Sequence, residues 1–450
     1  MNVRRMSRGK TIVIGVVVAL AVGVAAVAGS ASAGRTADTT LTAWTYDNQD
    51  PGLKPVLTQL SKNFEKSHPG VKINVLFKDF NAILATVGRA LQSDSGPDLT
   101  QGNQGFQTDG ALVKAKLILP LDKYAAKYNW VKLLGPGTTQ QYRWSADGKQ
   151  FGVGSTYGVA MTGQHVALFY NKAKLKELGI NPATALSSLG GFQKALATAR
   201  AKLPADEPVL MLGNKNGYEA AWLIWSVIGA ISNPQALRDW VYQKDGATIN
   251  RAPALTGFSM LQSWQKKGYF PSDVNALANA DAAANFAKGS GVFFADGVWN
   301  AGTIKAGLKS AAGVAPMPPA RKGGAPSAIG STSGSWHISA KSKNPDLAAE
   351  WLNYVVTSPA AVKLMQSQQQ IPAVVTAPAP KGDPYLAALV TSWKQLSKAN
   401  GLTLFEDWAS PTMLQTVSSQ MQQLIAGKTT PKAAATALQK DWDKFHKTLR

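Results

Sequence analysis

Between Thr40 and Leu99 the apolar residues switch rhythm again and again, and that switching restricts the fold more than any other feature of the chain. Thr40 to Tyr46 (TLTAWTY) reads as a strand. Leu53, Val56, Leu57, Leu60 and Phe64 then recur at three- and four-residue spacing, one buried face of a helix, and His68-Pro69-Gly70 stops it. Val71, Ile73, Val75 and Phe77 alternate as a second strand. Phe80, Ile83, Leu84, Val87 and Leu91 mark a second helix face, and Gly96-Pro97-Asp98 turns the chain into a third short strand. This βαβαβ order predicts a mainly parallel sheet with helices on both faces, an α/β fold.

The middle of the chain has the same grammar. Val166 to Tyr170 (VALFY) reads as a strand, and Lys172 to Leu178 as a short helix ended by Gly179. Tyr218 to Ile231 is apolar but too short to span a bilayer, so a buried helix is expected. Val292 to Ala295 reads as a strand entering a turn at Asp296-Gly297, and Pro316 to Gly330 is rich in Pro and Gly, the most linker-like stretch. Helices are expected at Pro345 to Val356, at Pro359 to Gln368, and from Thr430-Pro431 onward, the last burying Leu438, Trp442 and Phe445.

The first 33 residues are of another kind. Arg4, Arg5, Arg8 and Lys10 precede an apolar run from Thr11 to Val27 and then Ala31-Ser32-Ala33, the order of a secretory signal peptide cut after Ala33. A retained membrane anchor is the rival reading, and Arg4-Arg5 alone is weak evidence for twin-arginine export. The protein is therefore expected to work outside the cytoplasmic membrane, in the extracellular space or cell envelope.

Removing that segment leaves enough chain for two large domains. The sequence has no cysteine, so disulfides, thiolate catalysis and cysteine metal sites are excluded. The formal charge is +21, and removing the four basic leader residues leaves +17. The basic residues are spread as singles and short pairs such as Lys266-Lys267 and Arg321-Lys322, without the stripe that phosphate tracking needs. No nucleic-acid partner is expected; a solvated surface is.

Catalytic patterns are poor. His68, His165, His337 and His446 are scattered with no metal-binding spacing, so no metal and no cofactor are expected. Gly330-Ser331-Thr332-Ser333-Gly334 has threonine where a nucleophile elbow needs serine, and Gly152, Gly154 and Gly158 miss the dinucleotide spacing by one residue. Paired carboxylates for glycoside cleavage stay open, because their pairing is spatial.

Tryptophan is abundant, 13 in all. An indole face stacks on the C–H face of a sugar while polar neighbours hold the hydroxyls. Trp240, Trp264, Trp351 and Trp442 sit in helical patterns and are expected in the core. Trp299 and Trp336 follow strands in Gly-rich turns, where open α/β sheets bind ligands.

Seven segments in order, TLTAWTY at 40–46, FEKSHPGVKINV at 64–75, GPDL at 96–99, ALFYNKAKLKELGI at 167–180, FFADGVWN at 293–300, ISAKSKNPDLAAEWLNYV at 338–355 and QIPAVV at 370–375, resemble the extracellular solute-binding proteins of bacterial ABC importers, and within them the carbohydrate-binding group. The resemblance implies two α/β lobes joined by a hinge, with the solute between them. It puts the first crossing near Tyr157-Gly158-Val159 and the return near Ile329 to Thr332. Lobe one is then 34–157 plus 331–370, and lobe two 158–330 plus 371–450. It also implies ligand-binding roles for Trp299 with Asp296 in the strand-end turn and for Trp222. Weaker matches suggest such roles for Tyr46 and Asp47, Asn103 and Gln104, Ser335 and Trp336, and Trp408.

Two departures stand out: Gly34 occupies the place of the lipobox cysteine, and Asn181 to Lys202 lacks the group's usual P-x-T-W-x-E element. The expected activity is capture of a sugar or oligosaccharide by a monomer that delivers it to an importer permease. A secreted carbohydrate hydrolase or lyase is the alternative from the enzyme class, and a surface lectin a third.

Overall fold

The computed structural model describes residues 39–46, 52–378 and 380–450; the leader with its Ala31-Ser32-Ala33 site, and Asp47, lie outside the described residues. β1 (Thr39–Thr45), the helix Leu53–Ser67, β2 (Val71–Phe77), the helix Phe80–Gln92 and β3 (Leu99–Gly102) follow one another as the periodicity predicts. Leu53, Val56, Leu57, Leu60 and Phe64 are buried along the first helix. Asp79 caps the second by accepting from the Ala82 amide at 3.2 Å, leaving Ile83, Val87 and Leu91 inside. β1 pairs in parallel with both β2 and β3. The two helices enter different cores, the first beside Trp336, Ile338 and Trp351, the second beside Phe106, Trp144 and Phe151.

A two-stranded ladder of β4 (Arg143–Trp144) and β5 (Ser155–Thr156) precedes the second sheet. Its centre is β6 (Thr162–Asn171), and its chain order continues with β7 (Leu210–Met211), β8 (Phe293–Gly297), β9 (Ala312–Ala315) and β10 (Ala328–Thr332). β11 (Ser335–Ile338) returns to the first sheet, antiparallel to β3. β12 (Ile371–Pro372) and β13 (Leu402–Thr403) complete the second sheet, ordered β13-β10-β6-β8-β7. The expectation of parallel pairing holds for β1, β2 and β3 but fails here: β8, β9, β10 and β12 all run antiparallel to β6. Among the described residues of this sheet, only β7 on β8 and β13 on β10 are parallel. These partners lie far from β6 along the chain, so the local βα rhythm does not carry their direction.

Three passages link the sheets side by side. Val159 bridges Trp336, the Ser333 amide donates to the Thr162 carbonyl at 2.8 Å, and the Ala373 amide donates to the Met161 carbonyl at 2.8 Å. Pro316 to Ser327 is neither helix nor strand, and β10 begins at Ala328. The helix Glu219–Ile231 is buried, and Thr430 caps the helix Pro431–His446 by accepting from Ala433. Trp240, Trp264, Trp351 and Trp442 are all buried, as their helical spacing predicts. The unusual stretch from Asn181 folds as the helices Pro182–Ala185 and Leu189–Lys202. No helix among the described residues is long and apolar enough to cross a membrane.

Candidate functional site

A cavity of about 510 Å³ takes its walls from strand and helix ends of both sheets. Five of its rings form an unbroken chain. Tyr46, just past β1, meets Phe80 edge-on at 5.1 Å between centroids; Phe80 meets Tyr218 at 6.5 Å, Tyr218 meets Trp222 at 5.3 Å, and Trp222 meets Trp299 edge-on at 5.1 Å. Tyr46 and Phe80 belong to the first sheet and its second helix; Tyr218 and Trp222 open the buried helix; Trp299 lies in the turn after β8. Phe405 and Trp408 add two more rings, tilted against each other at 5.4 Å between centroids.

Two glycines make room for this wall. A Cβ on Gly297 would overlap the Trp299 indole, and one on Gly334 would overlap the Tyr46 hydroxyl. The Tyr46 amide also donates to Gln101 Oε1 at 3.1 Å, which holds the ring at the strand end.

Amide side chains fill the gaps between rings. Asn103 Nδ2 donates to Asp407 Oδ2 at 2.7 Å, while Asn103 Oδ1 accepts from the Trp408 indole at 3.0 Å. Gln104 Nε2 donates to the Ser333 carbonyl at 2.9 Å, tying the loop after β3 to the passage between β10 and β11. Asn279 and Asn300 line the cavity, and both donate to Asp296, at 3.0 and 2.6 Å. Asp296 itself is wholly buried behind them, and burial pushes its carboxyl up to about 6.

Two carboxylates face the cavity. Glu219 is 1% exposed; Oε1 accepts from Asn216 Nδ2 at 2.8 Å, while Oε2 is buried with no hydrogen-bond partner among the described residues. Burial pushes its carboxyl up to about 7. Asp407, also buried, is pushed up to about 6, and its neighbour Glu406 is raised further by burial and by the Asp407 charge.

Tyr46, Asn103, Gln104, Trp222, Trp299 and Trp408 thus come together around one space. Asp296 stands behind the wall and aims two asparagines into it. Trp336 and Ser335 do not line it. Trp336 is fully buried against Trp351, 5.5 Å edge-on, because the alternation of β11 turns Trp336 and Ile338 toward the first core. The same alternation turns Ser335 and His337 to the opposite side, where Ser335 Oγ and His337 Nε2 both meet Asp109 and His337 Nδ1 lies 2.7 Å from the Tyr157 carbonyl. The buried Asp109 charge and the Tyr157 carbonyl hold His337 above its ordinary range despite its burial. Phe80, Tyr218, Glu219, Asn279 and Asn300 were not foreseen; a lone acid opening the apolar run Glu219 to Ile231 is the signal the sequence carried. No cluster of three or more His, Asp or Glu able to hold a metal occurs among the described residues.

A mixed α/β scaffold whose two sheets both feed one aromatic cavity defines a class, the two-lobe solute receptors. The chain belongs to the bacterial extracellular solute-binding protein family, whose model matches residues 46–362. Among its relatives is the maltodextrin-binding protein MdxE of Bacillus subtilis, 24% identical over 230 residues. That match covers 49% of this chain, and the chain spans about half the length of that relative, 50%. Among solved structures it resembles a chitin oligosaccharide binding protein (TM-score 0.77, 20% identity, 91% of this chain and 100% of the other). It also resembles the maltose/maltodextrin-binding domain MalE from Bdellovibrio bacteriovorus bound to maltotriose (TM-score 0.68, 16% identity, 90% and 99%).

Proposed function

We propose that this protein captures a sugar or oligosaccharide in the cavity between two lobes and delivers it to the permease of an ABC importer, without chemistry on the ligand. The observation that carries this reading is the chain of five aromatic rings, contributed by both sheets and interleaved with Asn103, Gln104, Asn279 and Asn300. Rings give flat apolar faces to sugar C–H groups, and amides both donate to and accept from hydroxyls. The relatives support it: MdxE is named for maltodextrin, and the neighbouring structures for chitin oligosaccharide and maltotriose.

The lobes of this reading are 34–157 plus 331–370 and 158–330 plus 371–450, meeting along the three crossing passages. The receptor is a monomer, exported by residues 1–33 and cut after Ala33, with no nucleic-acid partner. A ligand that touches both lobes only when they approach must favour the closed arrangement by its differential contacts.

A thermal-shift screen against mono- and oligosaccharides tests it. A true ligand at a hundred times its dissociation constant adds about 2.7 kcal/mol of stability. It should also quench tryptophan fluorescence saturably, shrink the radius of gyration in solution scattering, and be recovered intact. Release of reducing ends would establish the hydrolase instead, and a panel with no binder would remove the sugar reading.

A further inference from the structure

The protein is strongly basic, +21 over the whole chain, yet none of the described residues lining the cavity is Lys, Arg or His. Its charged groups are Glu219 and Asp407 alone. Asp296 adds a third carboxyl directly behind Asn279 and Asn300. Tyr218, on the cavity wall, is held un-ionised first by burial and then by the carboxylates of Glu219, Asp407 and Asp79. The cavity is thus an acidic recess in a basic surface.

Glu219 gives the recess a direction. It is 1% exposed and one oxygen is occupied by Asn216, while Oε2 is buried without a partner among the described residues. A buried acceptor in that state is costly until a donor meets it. A hydroxyl can do so, and an ammonium does so with a charge-assisted bond about twice as strong. A carboxylate or phosphate brings only acceptors and like charge, and here finds no cation to pair with.

Resting on the sugar-capture reading above, we propose that the cavity selects sugars by charge: it accepts neutral sugars, binds more tightly those that present a protonated amine to Glu219, and refuses those that carry a carboxylate or phosphate. The basic exterior and the acidic interior then do different work. The surface attracts anions in general, while the recess denies them entry.

The test uses disaccharides that differ in one group: glucose, glucosamine and glucuronate forms in both α-1,4 and β-1,4 linkage, titrated calorimetrically at pH 7 and low ionic strength. In whichever linkage binds, the glucosamine form should bind about tenfold tighter than the glucose form, and the glucuronate form at least about tenfold more weakly. In Glu219→Gln, and in Asp407→Asn as a second variant checked for an unchanged melting temperature, the amine advantage, read within each variant as the ratio of glucosamine-form to glucose-form affinity, should fall below about twofold. Glucuronate binding as tight as glucose, or an amine advantage intact in both variants, overturns the inference and leaves sugar capture standing. If neither these sugars nor the wider panel bind, sugar capture itself fails and this inference falls with it.

Discussion

Two cavities of nearly equal size share β10 as a wall, about 510 Å³ where Thr332 lines it and about 530 Å³ where Gly330 and Ser331 do. Their chemistry is opposite. The first has seven rings and two carboxylates with no basic group. The second has Arg238, Lys244 and Lys394 against one acid, Asp239, and only Tyr242 and Trp393 as rings. Two of its donors are already engaged: the Arg238 guanidinium donates to the carbonyls of Asn400 and Leu402 at 2.9 and 2.6 Å, and the Trp393 indole donates to the Ser331 carbonyl at 3.3 Å. The first cavity keeps, among the described residues, an unmet buried acceptor in Glu219. Space is therefore a poor guide to a site; unspent hydrogen-bonding capacity beside a run of aromatic rings is a better one.

The comparison can be broken in four ways. Trp336→Ala touches neither cavity but empties the first core, and should cost about 3–5 kcal/mol in chemical denaturation while the folded fraction keeps its sugar affinity. Trp299→Ala should do the reverse, lowering affinity about a hundredfold by calorimetry with a melting temperature close to that of the parent. Normal affinity in that variant would move the site away from the aromatic chain.

A smaller effect comes from proton linkage. Glu219 is raised from 4.5 to about 7, so the folded state binds its proton more tightly and stability falls as pH rises across that window. Glu406 and His337 are raised as well, and each loses its contribution as pH climbs through its folded value. His165, lowered to about 3 by burial, works the other way but only below about 6.5. Between pH 6.5 and 8 these effects therefore share one sign: the melting temperature should drop by about 2 °C, and Glu406→Gln should flatten the slope. The smallest effect is Lys244→Ala in the second cavity, where sugar affinity should change less than about twofold; a larger loss would mean that the second cavity is the site.

What the sequence revealed depended on distance along the chain. The first three strands and two helices were legible because each carries its own period in Val71, Ile73, Val75 and Phe77 or in Leu53, Val56, Leu57, Leu60 and Phe64. The pairing of β6 was not, since its partners β8, β9, β10 and β12 lie far downstream and nothing local encodes their direction. The site divides the same way. Trp299 and Tyr46 end strands and could be found from turns, whereas Phe80 opens an ordinary amphipathic helix and Asn279 an alanine-rich one. Trp336 misled because the face of a four-residue strand is set by its neighbours across the sheet, not by its own sequence.

The antiparallel pairing of β11 with β3 joins Ile338 to Leu99. The first sheet therefore lacks its edge until most of the polypeptide has been synthesised, and closing so long a loop is slow. Shortening the insert between those strands should therefore speed folding, because the same edge would close over a shorter loop.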